Sequence, residues 1–383
     1  MKKEDLDAIL AAMLHGPETS VSDLVFVAGK PPQIEQDGRL RPLEMDGPDS
    51  VLQAAHVEAM SDVLMLENPR LRLDFEQNGS CDSSYALGNR ARFRVNIYKQ
   101  NGQRGIVMRR LQSKTPSLAD LGLPPIFAEM ITEKHGIVFV TGGTGTGKTT
   151  TLAAMLNELN ETQEVHVVTL EDPIEFLHKH AKATFSQREL GKDFPNFSSG
   201  LRAALRQAPK VILLGEIRDR ESMEIAMTAS ETGHLVFTTL HTINAGQSIN
   251  RILGMFSKEE EKQVRERLAE TLRYIVSQRL VSKVDGGRLL VTEIMGSSLR
   301  TRESIIFGES ENRTFLEIIE AGDIHGWHSF DQSLLKAYET GQITEETAIL
   351  YATHKTKMCR DIEMSRKLKY ELTEESSGLQ MAH

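Results

Sequence analysis

A chain of 383 residues has room for two or three domains, and its 39% of hydrophobic residues can fill a sizeable core. A formal net charge of −9 removes any global attraction for nucleic acid, though not a local basic channel. The two cysteines, Cys81 and Cys359, form no Cys-x-x-Cys pair, which argues against a disulfide framework or zinc site and fits a reducing compartment.

The opening MKKEDLDAILAAMLHG is too short and too charged in its apolar part for a signal peptide. No run approaches the roughly 18 apolar residues of a membrane span, so a cytoplasmic protein is expected. Residues 5–14 read as an amphipathic helix with Leu6, Ile9, Leu10, Met13 and Leu14 on one side. DLVFVA (23–28) reads as a strand closed by a GKPPQ turn, and 50–66 as a second helix. ARFRVNIYKQ (91–100) and GIVMRRL (105–111) read as strands around an NGQR turn. These elements predict a small α+β domain over 1–103 and a connection over 104–125 rich in Ser, Thr and Pro. From 126 to 360, apolar strands at 137–141, 165–170, 211–215, 235–240 and 289–294 alternate with helical patterns, predicting an α/β domain with a parallel sheet. Residues 361–383 read as a polar tail, frayed over its last dozen residues.

The chemistry starts at GGTGTGKT (142–149), which fits G-x-x-x-x-G-K-[ST] between a buried strand and a helix. Glycines let backbone N–H groups turn toward phosphate oxygens. Gly142, Gly143, Thr144, Gly145, Thr146, Gly147, Lys148, Thr149 and Thr150 are therefore the expected nucleotide-binding residues. Lys148 reaches the β/γ-phosphates and the Thr149 hydroxyl ligates Mg²⁺. Ligands of a parallel sheet sit beyond the carboxyl ends of its strands. Three further strands end there in EDPIEF (Glu171, Asp172, Glu175), GEIRD (Glu216) and HT (His241). Glu216 follows Val211–Leu214 and Gly215 as a Walker B acid would, placed to polarise an attacking water and help hold Mg²⁺. Each has a plainer reading: Glu171 as a helix cap, His241 as a core histidine. His234 falls at the far end of its strand. Arg92 and Arg94 share one face of a strand, and with Arg109, Arg110 and Arg188 they are candidates to meet phosphate charge, against the plainer reading of solvated surface arginines.

Together these boxes resemble the secretion-superfamily hexameric ATPases, most closely the pilus retraction motors PilT and PilU, over residues 20–355. SDLVFVAGKPP and RFRVNIYKQ look like the PAS-like N-terminal domain, and GGTGTGKTTT like the Walker A box of a RecA-like motor domain. TLEDPIEF looks like the Asp box, LRQAPKVILLGEIRDRESM the Walker B region and TGHLVFTTLHT the His box; VSQRLV (276–281) also matches. The resemblance implies a Mg²⁺-dependent, ATP-hydrolysing homo-hexamer that powers type IV pilus retraction by interdomain motion. It would be peripherally bound at the inner-membrane pilus platform, with no nucleic-acid partner. It implies catalytic roles for Glu216, Glu171 and His241, and nucleotide contacts from Arg92 and Arg94. Lys210 replaces the usual acid before the Walker B strand, and LRTRESII (299–306) stands where a retraction motif is expected. LRQAP (205–209), GEIRDRESM (215–223), FDQSLLKAYETGQIT (330–344) and the polar tail lean toward PilU, whose accessory role beside a PilT-type paralogue is the alternative to an independent motor.

Overall fold

The strand over Ala91–Gln100 shows how the first part of the chain folds. Ala91, Phe93, Val95 and Ile97 are buried, while Arg92, Arg94 and Asn96 take the other face, as a side-chain period of two requires. The computed structural model describes residues 1–14, 21–36, 39–43, 51–65, 68–112, 114–311 and 313–380, with backbone alone for 368–380. Its first sheet contains β1 (Val21–Val27), β2 (Gln33–Gln36), β3 (Arg39–Pro42), β4 (Ser80–Leu87), β5 (Ala91–Gln100) and β6 (Gln103–Leu111). The order is β3-β2-β1-β6-β5-β4, and every neighbouring pair is antiparallel. Its buried face packs Phe26, Phe93, Val95 and Met108 with Leu6 and Leu10 of the helix Lys3–Met13 and with Val57 and Met60 of the helix Ala54–Met65.

The second sheet is buried differently. It contains β7 (Gly136–Thr141), β8 (His166–Glu171), β9 (Thr184–Glu189), β10 (Val211–Leu214), β11 (Leu235–Leu240), β12 (Leu272–Ser282) and β13 (Arg288–Gly296), in the order β13-β12-β7-β11-β10-β8-β9. Strands β12, β7, β11, β10 and β8 run parallel. Every residue of β7, β10 and β11 is buried, because both faces of a parallel sheet are covered. A smaller apolar cluster joins Val281 and Val291 to Phe330, Leu334 and Ile362 of the C-terminal helices.

Several expectations are corrected. Residues 104–111, placed in a linker, form most of β6, which pairs with both β1 and β5. The first compact unit runs through Thr115 and also takes Asp172–Leu177 and Arg188–Pro195; the rest of the chain is the second unit. The segment 289–294 is not parallel: β13 returns antiparallel along β12 from a tight turn at Gly286–Gly287. Residues 361–380 belong to one helix, Lys355–Gln380, although the last dozen residues of the chain were expected to fray; 381–383 lie outside the described residues. Among the described residues no helix is long and apolar enough to cross a membrane.

Candidate nucleotide site

Strand β7 runs straight into the glycine loop. Gly142, Gly145 and Gly147 all have positive φ (149°, 77° and 87°). At Gly142 the need for glycine is also steric: a Cβ would lie 2.5 Å from Thr146 Oγ1 and 2.8 Å from the Gln278 carbonyl oxygen. The loop ends in the helix Lys148–Thr162, whose first turn closes with Thr151 N–H donating to Gly147 O at 2.9 Å. The N–H groups at such a helix start, with its dipole, favour an anion. Gly143, Thr144 and Gly145 are exposed; Thr146, Gly147, Thr149 and Thr150 are half-buried. Lys148 is buried, and its ammonium donates to Gly142 O and Gly143 O at 2.9 Å each. Thr146 Oγ1 donates to Gly143 O and stiffens the loop.

Parallel pairing brings the other strand ends alongside. Gly142 N–H donates to Leu240 O, the residue before His241. Gly215 N–H donates to Leu170 O, the residue before Glu171, and Thr239 Oγ1 donates to Gly215 O at 2.7 Å. Glu216 is 19% exposed at its side chain; one oxygen lies 3.5 Å from His241 Nε2 and the other 2.9 Å from an Arg218 nitrogen. Glu171 is buried and accepts from Thr169 Oγ1 at 2.6 Å and Gln187 Nε2 at 3.3 Å. Gln187 Oε1 in turn accepts from the backbone of His178, whose ring stacks on Phe185. Burial pushes the His178 imidazole down to about 4, so it is neutral at pH 7. His234, at the amino end of β11, is bound by Ala229 O and is remote from this edge.

The loop, Glu171, Glu216 and His241 therefore share one sheet edge. Arg92 and Arg94 belong to the first unit. Arg92 donates to Ile174 O at 2.6 Å and Glu175 O at 3.4 Å, so it holds the backbone that follows the Asp box. Arg94 is exposed, between Ser84 on β4 and Arg109 on β5's other neighbour, β6. Arg109 is committed to the buried Asp23 at 2.8 Å, and Arg188 donates to Asp193 O at 2.8 Å. Sequence reasoning missed Arg218, although it stands two residues after Glu216 in GEIRD. It also missed Thr169 and Gln187; the alternation of β8 marks Thr169 as facing with Glu171, but only tertiary pairing brings Gln187 there.

The family model of the type II/IV secretion system protein matches residues 54–363, most of the chain. The chain belongs to that family. It is 41% identical over 344 residues to the type IV pilus retraction ATPase PilT of Pseudomonas aeruginosa, covering 90% of this chain and 97% of that protein. It is 36% identical over 336 residues to the type IV pilus ATPase PilU of the same organism, covering 88% and 86%. These identities do not place this secretion-family chain nearer to PilU, as the segments at 205–209, 215–223 and 330–344 and the polar tail had suggested. A crystal structure of the pilus retraction motor PilT with bound ADP superposes with a TM-score of 0.79 at 35% identity, over 94% of this chain and 99% of that one.

Proposed function

We propose that this chain is a Mg²⁺-dependent ATPase acting as a homo-hexameric motor for type IV pilus retraction, bound from the cytoplasm to the inner-membrane pilus platform. The observation that carries the reading is the common edge shared by the phosphate loop, Glu171, Glu216 and His241, in a chain similar to PilT along nearly its whole length. The residues fit the ligands. The loop cradle admits no Cβ at Gly142, and the Thr149 hydroxyl and Glu216 carboxylate are the oxygen donors that a hard cation takes. Bound Mg²⁺ would neutralise phosphate charge.

Lys148 exchanges its two loop carbonyls for phosphate oxygens, holding the triphosphate in line. Glu216 orients and polarises the attacking water. His241 and Arg218, both on its carboxylate, fix the direction in which it points. Glu171 is held by Thr169 and Gln187, so its carboxylate has a set orientation at the same edge. Arg92 and Arg94 are assigned nucleotide contact on the resemblance alone.

Phosphate release from ATP tests the reading. Glu216→Gln should lower kcat by about 10²–10⁴-fold while nucleotide affinity holds; undiminished turnover would overturn the role of Glu216. Deleting the gene should leave cells hyperpiliated, and bald cells would rule out retraction.

A further inference from the structure

The sheet contributes a residue to the phosphate loop that the nucleotide-binding motif does not contain. Gln278 on β12 is 1% exposed. Its carbonyl oxygen forms one wall of the space above Gly142, the first loop residue. Its side-chain Nε2 donates to Thr151 Oγ1 at 2.7 Å, beyond the other end of the loop. Thr151 is itself 1% exposed, and it is the residue whose N–H closes the helix onto Gly147. The preceding residue, Ser277, accepts from Thr141 Oγ1 at 3.0 Å, joining β12 to the last residue of β7. One dipeptide of β12 thus touches the chain before the loop, at its start and just past its end.

The amide is not there for stability alone. Gln278 Oε1 is buried without a hydrogen-bond partner among the described residues. Turning the amide over would only exchange which of its two atoms is orphaned. An unpaired buried polar atom is a cost that an apolar side chain of similar size would avoid.

We propose that Gln278 is a positioning residue for the nucleotide: through Thr151 it sets the first turn of the helix, and with it the N–H groups and Lys148 that meet the phosphates. The inference rests on the nucleotide-binding part of the function above, not on hydrolysis or on pili.

Binding of a fluorescent N-methylanthraniloyl-ADP with Mg²⁺ to the full chain, with thermal unfolding alongside, provides the test. Gln278→Leu and Thr151→Val should each weaken binding about 3–10-fold, the size of one lost hydrogen bond. The double variant should be no weaker than either single one. Thr151→Ser, which keeps the hydroxyl and loses the methyl, should bind like the parent. Wild-type affinity in Thr151→Val, additive losses in the double variant, or a greater loss in Thr151→Ser than in Thr151→Val would each overturn the proposal. The threonine pair decides the matter even if Gln278→Leu fails to fold. A parent chain that binds no nucleotide would instead refute the nucleotide-site reading, and this inference with it.

Discussion

The two sheets use strands in opposite ways. In the antiparallel sheet the functional candidates Arg92 and Arg94 stand on the open face of β5, interleaved with the buried Phe93 and Val95. In the parallel sheet β7, β10 and β11 have no open face, and the candidates follow the strand ends: the loop after Thr141, Glu216 after Gly215, His241 after Leu240. A half-covered sheet can present chemistry along its length, whereas a sheet covered on both sides can present it only where the strands stop.

Substitutions can break or sharpen this contrast. The largest effect is expected where the open-faced sheet meets its core. Phe93→Ala should cost about 3–5 kcal/mol in the unfolding of the first unit, read by calorimetry, with the second unit's transition held. Next is Gly142→Val at a strand end. The close approaches at that position should cut nucleotide affinity about 100-fold, near 2.7 kcal/mol, with folding retained by circular dichroism. Normal binding would mean that the loop has room the geometry denies.

Of similar size is the acid response of His178, whose backbone N–H donates to the Gln187 amide that holds Glu171. The unfolded chain takes up this proton near 6.5 and the folded chain only near 4. Below pH 6.5 the unfolded state therefore binds more protons, and stability falls as pH drops toward 4, by on the order of 2–3 kcal/mol. His178→Phe should flatten that stretch of the unfolding profile; an unchanged slope would assign the loss to other groups. The smallest effect is expected for Arg94→Ala on the exposed face. Stability should stay within about 0.5 kcal/mol, so any loss of nucleotide affinity would report a contact with ligand rather than a damaged fold.

The sequence made strand ends easier to read than strand partners. Continuous apolar runs followed by Gly, Glu or His located β7, β8, β10 and β11 and the residues just beyond them, because a fully buried strand announces itself in composition. Strand β4, SCDSSYAL, is too polar to stand out and is held mainly by pairing with β5. Strand β9, TFSQRE, likewise carries Gln187 to Glu171 through tertiary contact alone. The direction of β13 was invisible because an apolar run looks alike either way; the glycine pair at 286–287 was the available clue. Arginines were legible as a pattern on β5, but not their partners, since carbonyls such as those of Ile174 and Glu175 leave no mark in a sequence.

The alternation of β5 also restricts how this chain can change in length. Inserting or deleting one residue between Arg92 and Ile97 would invert the strand on one side of the change, turning a guanidinium group into an apolar core or buried residues such as Val95 and Ile97 out to water. Such an indel would remove fold and candidate site together, whatever residue it added. The tight turn at Asn101–Gly102, both with positive φ, lies past the register that matters. Length variation among descendants of this sequence should therefore collect at such turns and spare the strand, a rule of inheritance written by pleating rather than by catalysis.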